Sequence, residues 1–229
     1  LGGFVARHNG ILVPVAVALA AKLAVLGLTY LLLNGPDAFL HDLASKWDGE
    51  HYLCIARQGY VPPSFYHNAG QDFPQVCNSI HFGSLFPLAI NLFGGGDPGA
   101  LLASNLASLA AVAVVAWHWG RRPALFLALF PSWLVFGSVG YSESLYVLLA
   151  ALALAFLERP RRQVAAGAAS ALAMATRYLG GPPLLLASLP WGAWRAPRRY
   201  LALFLVAVSG LAFVLGFWWY TGRIEGYVF

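Results

Sequence analysis

Residues 11–33 read ILVPVAVALAAKLAVLGLTYLLL, with Lys22 the only charge in the run. A stretch of about 20 apolar residues is what a helix needs to cross a bilayer, and only a helix satisfies all its backbone groups within lipid. The run is too long for the apolar region of a signal peptide, and no small-residue cleavage site follows it. It is therefore expected to be a retained first span. The whole chain agrees with that reading. It is 59% hydrophobic and 10% charged over 229 residues, with a mean hydropathy of +0.67. A soluble domain carries about 25% charged residues, so too little charge is present to coat a water-facing surface.

Outward from this span, basic residues set the threading. Arg7 precedes it. Arg121 and Arg122 form one cluster, Arg159, Arg161 and Arg162 a second, and Arg195, Arg198 and Arg199 a third. Short basic loops beside membrane spans belong on the cytoplasmic side. Their position against apolar segments argues against nucleic acid as a partner. With the N-terminus inside, the expected spans are 11–33, 98–119, 123–137, 142–157, 163–179, 183–194 and 201–220. Residues 82–95 are too short for a span, hold Pro87 and end in Gly94-Gly95-Gly96. They are expected to form an interfacial or re-entrant helix. The result is an all-α membrane bundle of about seven transmembrane helices, a single domain over 1–229.

The acidic residues go to the other side. Asp37, Asp42, Asp48, Glu50 and Asp72 fall between Asn34 and Ser84. Residues 34–97 make a long first extracytoplasmic loop, and loops of this length in compact proteins are functional or disordered. Aromatic and apolar residues at helical spacing over 37–58 point to an interfacial helix opened by Pro36 and closed by Gly59. Within it lies Trp47-Asp48-Gly49-Glu50-His51-Tyr52. Asp48 and His51 are three apart and share a helical face, whereas Glu50 lies about 200° round from Asp48. A carboxylate at the membrane surface suits removal of a proton from a hydroxyl nucleophile. The plainer reading is two solvated carboxylates with a histidine on the rim.

Several further features remain open in the sequence. A metal site from His51, His67, His81 and Asp72 has spacings that match no recurrent ligand pattern, so no cofactor is expected and a divalent metal is the weaker alternative. The only cysteines, Cys54 and Cys77, share the outer loop, where a disulfide is chemically permitted. Lys22 needs a partner within the membrane. Glu143 is either a helix N-terminal carboxylate held by the dipole or part of a site, and Arg177 either snorkels or binds phosphate. The groups Trp191/Trp194 and Trp218/Trp219/Tyr220 read as interfacial belts.

Four segments, in order, carry a family resemblance. Trp47-Asp48-Gly49-Glu50-His51-Tyr52, continuing to Ile55-Ala56 and Gly59-Tyr60, resembles the first luminal loop of the PIG-V-like GPI mannosyltransferase II family. Phe82-Gly83-Ser84-Leu85-Phe86-Pro87-Leu88 is similar to its Phe-Phe-Pro-x-x-Pro segment, with the first proline missing. Gly140-Tyr141-Ser142-Glu143-Ser144-Leu145 and Ala175-Thr176-Arg177 resemble two further family segments.

The resemblance implies a glycosyltransferase of the GT-C superfamily, a prokaryotic relative whose family extends beyond the point where this chain ends. It implies a polyprenyl-phosphate sugar donor, a lipid or glycan acceptor, and an extracytoplasmic site in a cell or endoplasmic reticulum membrane. Mannose rests on the resemblance alone. Asp48 takes the position of the family's catalytic base, with Glu50 and His51 beside it. Arg177, Lys46, Arg57 and Arg223 are candidates to stabilise the departing phosphate. Trp47, Tyr52, His81, Tyr141 and Glu143 are candidate substrate contacts. The alternatives are a non-catalytic scaffold or lipid-binding relative and, third, a transporter. A transporter calls for paired charges deep in the spans, where only Lys22 qualifies.

Overall fold

The computed structural model describes residues 2–32, 36–60 and 82–177, with positions 204, 207, 208, 210–212 and 215. Tyr178, His67, Asp72, Cys77, His81, Arg195, Arg223 and the expected span 183–194 lie outside the described residues. So does most of 201–220. Among the described residues the secondary structure is helical, with no strand.

Alternation of long and short helices follows the sequence. The first helix, α1, runs Gly2–Leu32. Two short helices follow, α2 (Pro36–Ser45) and α3 (Gly49–Gln58). After the second part of the loop comes α4 (Leu85–Leu92). Then α5 runs Gly96–Trp119, the post around which the rest is arranged. It is followed by α6 (Arg121–Leu129), α7 (Pro131–Phe136), α8 (Glu143–Leu157) and α9 (Gln163–Thr176). Among the described residues, two helical stretches, Gly10–Leu32 and Gly96–Trp119, are long and apolar enough to cross a membrane. At 1.5 Å per residue they reach about 34 and 36 Å.

Side-chain contacts fix the direction of each helix against α5. On α1, Ala18 packs with Val112 and Ala116, and Lys22 Nζ donates to Asn105 Oδ1 at 3.2 Å. Leu26, like Leu101 of α5, packs against the cluster of Leu43, Val139 and Tyr141. So α1 runs antiparallel to α5. The α6–α7 pair also returns along α5, from Ala124 beside Ala116 to Gly140 beside Ala100. Parallel to α5, α8 runs from Ser144, whose hydroxyl meets that of Ser104 at 3.1 Å, to Glu158, bonded to His118 at 2.8 Å. Finally α9 returns, and Arg177 at its end pairs with Glu143 at the start of α8. One end of the bundle thus holds Asp48, Tyr141, Glu143 and Arg177. The other holds Arg121, Arg122, Arg159, Arg161 and Arg162.

The distribution of side chains across the bundle is inverted relative to a water-soluble protein. Small and hydroxylic residues fill the interior: Ala103, Ser104, Ala107, Ser108, Ala111, Ser144, Ala153 and Ser170 are all buried. Large apolar ones face out, with Leu31 79% and Phe126 71% exposed. Small residues let helices approach where lipid tails offer no hydrophobic drive for association.

Two sequence expectations meet a different local structure, and a third, the partner Lys22 needs, is met. Residues 37–58 form two helices rather than one, broken at Lys46-Trp47-Asp48, with Trp47 at a left-handed φ of 49°. The break brings Gly49 against the Ala44 and Gly140 carbonyls, where a Cβ would lie 2.2 Å from the first and 3.2 Å from the second. Residues 123–137 are two helices, not one span. Phe130 is extended, and Pro131, lacking an N–H, restarts the chain as the first residue of α7. Lys22, 2% exposed, does have partners: the Gly137 carbonyl at the end of α7 and Asn105. The expectation for 82–95 agrees with α4, whose eight residues reach about 12 Å, far short of a bilayer of about 30 Å.

Candidate active site

Asp48 sits at the position immediately before α3, where an aspartate ordinarily accepts hydrogen bonds from the helix's own N–H groups. Here its side chain makes no such bond. The left-handed Trp47 turns the chain, and the Tyr141 hydroxyl donates to Asp48 Oδ2 at 2.6 Å. A short bond to a carboxylate is charge-assisted and orients the group. The carboxylate is half-buried, so it is both held and reachable.

Tyr141 is itself positioned from three sides. Its ring packs edge-on to Trp47 and Tyr52, with centroids 6.2 and 6.4 Å away, and tilts on Phe136 at 5.5 Å. The preceding Gly140 donates its N–H to the Leu43 carbonyl at 2.9 Å. A Cβ there would stand 2.7 Å from the Ala44 oxygen, so only glycine allows the turn to lie this close to α2. Burial pushes the Tyr141 phenol well above the ordinary tyrosine value. The hydrogen bond to Asp48 and that residue's charge push it the same way, against the Arg177 charge. Tyr141 therefore stays protonated, as the donor its bond to Asp48 requires.

Arg177, one residue past α9, forms an ion pair with Glu143, the first residue of α8. Its charge is felt by both Tyr52 and Tyr141. The cation itself is partly exposed and is held by Glu143. Gly83 joins this corner to α9: a Cβ on it would lie 2.3 Å from the Ala175 oxygen.

The other sequence candidates separate by position. His51 stacks on Phe82 with centroids 4.7 Å apart. Glu50 and Lys46 are exposed, and Trp47 is 59% exposed. Two assignments change. Tyr52 is 3% exposed, and its hydroxyl shares a 2.7 Å bond with Ser142. It is a strut under the site, not a wall of a sugar pocket, because its ring is enclosed by Phe82, Phe86 and Tyr141. Arg57 lies at the far end of α3, nine residues and about 13 Å along the helix from Asp48. There it faces Asp97 at 3.7 Å beside His41, so it is a poor partner for a phosphate at Asp48. Cys54 is disulfide-bonded, and the chain's other cysteine, Cys77, lies outside the described residues. No group of three potential metal-ligating side chains occurs among the described residues.

Compared with known proteins, the chain matches no family model, no curated protein and no solved structure. Two residues that the sequence reading placed within motifs but gave no role are contributors: Ser142 anchors Tyr52, and Phe82 carries His51. What the described residues bring to one end of the bundle is a reachable carboxylate, a phenol that holds it and, paired with Glu143, a cation whose charge reaches that phenol. That set is able to accept a proton at Asp48 and to offset negative charge at Arg177.

Proposed function

We propose that this chain is a membrane-embedded glycosyltransferase of the GT-C type, built as about seven spans. It moves a sugar, mannose by resemblance, from a polyprenyl-phosphate donor to an acceptor hydroxyl at the end of the bundle that holds Asp48. The membrane setting is supported by the two long apolar helices and by the leucine-out, alanine-and-serine-in arrangement. The observation that carries the chemistry is Asp48 itself. It is unused as a helix cap, held by Tyr141 at 2.6 Å and left half-exposed.

In this reading Asp48 takes the proton from the acceptor hydroxyl as the oxygen attacks the anomeric carbon. The bond to the donor phosphate breaks on the opposite face, so the configuration inverts. The phosphate leaves with the electron pair of the broken bond and so gains a second negative charge, which Arg177 offsets by exchanging part of its contact with Glu143. Trp47, exposed next to Asp48, offers a flat apolar face for a sugar ring.

The test is transfer from radiolabelled polyprenyl-phosphate mannose to candidate lipid acceptors. Asp48→Asn is expected to lower turnover by about 10²- to 10⁴-fold, the usual range for a general base. Glu50→Gln, on the exposed side of α3, is expected to leave turnover within a few-fold. Wild-type turnover retained by Asp48→Asn removes this mechanism.

A further inference from the structure

The end of the bundle opposite Asp48 has a composition that the transfer chemistry does not use. Arg121, Arg122, Arg161 and Arg162 are exposed there, with Arg159 half-buried. The only carboxylate at this end among the described residues is Glu158, which is bonded to His118 at 2.8 Å. Offsetting the C-terminal dipole of one helix takes a single cation, and His118 already lies in the last turn of α5. Four or five guanidinium groups remain beyond that need.

Apolar groups surround them. Arg122 precedes Phe126 by one turn on α6, and Phe126 is 71% exposed. Val164, 41% exposed, follows the Arg161-Arg162 pair. Trp117 and Trp119 at the end of α5 are 41% and 39% exposed, and the Arg159 guanidinium lies 4.3 Å over the Trp117 ring. A nucleic acid offers base faces to aromatic rings but no hydrocarbon to an exposed aliphatic side chain such as Val164. Here each arginine stands within about a turn of a large exposed apolar side chain. That pattern fits one amphipathic ligand, with phosphate on the guanidinium forks and hydrocarbon on the flank.

We propose that this end of the bundle is a collar that binds the headgroups of anionic phospholipids in preference to zwitterionic ones. The inference rests on the membrane part of the proposed function and not on its transfer chemistry.

The experiment uses the full chain purified in neutral detergent and incubated with phosphatidylglycerol, phosphatidylcholine or inorganic phosphate. Lipid retention is read by native mass spectrometry. Phosphatidylglycerol is expected to be retained over phosphatidylcholine and not displaced by inorganic phosphate. Each basic residue near an anionic surface contributes about fivefold in affinity. The variant with Arg121→Gln, Arg122→Gln, Arg161→Gln and Arg162→Gln is therefore expected to lose phosphatidylglycerol binding by on the order of 10²–10³-fold. A salt series on the wild-type chain gives a second reading that needs no variant. Raising salt from about 0.1 to 1 M shortens the Debye length from about 10 to 3 Å, so retention is expected to fall.

Equal retention of both lipids, full displacement by phosphate, salt-independent retention or unchanged binding by the glutamine variant each overturns the collar. A chain that stays in the aqueous phase without detergent removes the membrane reading itself. Insertion without lipid preference removes only the collar.

Discussion

At the residue scale, the site depends on where one carboxylate is directed. Asp48 stands where a helix cap is expected, yet its oxygen accepts from Tyr141. The contribution of that bond is separable from that of Asp48 as the proposed base. Tyr141→Phe keeps the ring contacts with Trp47 and Phe136 and deletes the donor. A hydrogen bond to a charged group is worth about 1.5–3 kcal/mol. Where that bond orients the base in the transition state, turnover is expected to fall about 10- to 100-fold, with little change in KM. Steady-state kinetics of Tyr141→Phe with the mannose donor checks this, and an unchanged kcat assigns Tyr141 to packing alone.

At the element scale, the corner that presents Asp48 exists because α2, the α7–α8 turn and α3 touch through backbone. Gly49 and Gly140 both meet the Ala44 carbonyl at distances that no Cβ tolerates, 2.2 and 2.7 Å. The neighbouring atoms are backbone and cannot swing aside. Gly49→Ala is expected to destabilise the chain by about 1–3 kcal/mol, the usual cost of overpacking. Gly27, within α1, has nothing within 4 Å of an added Cβ. Gly27→Ala is expected to be neutral or to stabilise by up to about 1 kcal/mol. Thermal unfolding of the two variants in the same detergent decides the point. Equal melting temperatures would mean the corner is not tight.

At the scale of the molecule, the bundle has two chemically distinct ends, the acidic corner of Asp48 and the arginine end beyond Trp119. In the proposed threading the two ends face opposite compartments. Single cysteines introduced as Glu50→Cys and Arg161→Cys, both at exposed positions, are expected to react with an impermeant maleimide from opposite sides of sealed vesicles. Labelling of both from one side removes the proposed threading. The native Cys54 is disulfide-bonded and does not compete for the reagent.

The helical character, the two long apolar helices and the segregation of acidic from basic residues were determined by the sequence alone. Composition and period are local quantities, and the demand that lipid-buried backbone bond to itself leaves only helices. The motif around Asp48 was also legible as a candidate site, and the structure places Asp48 at the same end of the bundle as Glu143 and Arg177. Three things only the tertiary structure decided. Lys22 found its partners in Gly137 and Asn105, over eighty residues away in the chain. Tyr52 changed from a pocket wall to a strut because Ser142, Phe82 and Phe86 enclose it. And the helix over 37–58 broke before Asp48 because Gly49 has to approach Ala44 and Gly140. Each depends on which distant segment lies alongside. Hydrophobic period says which face is covered; it does not say by what.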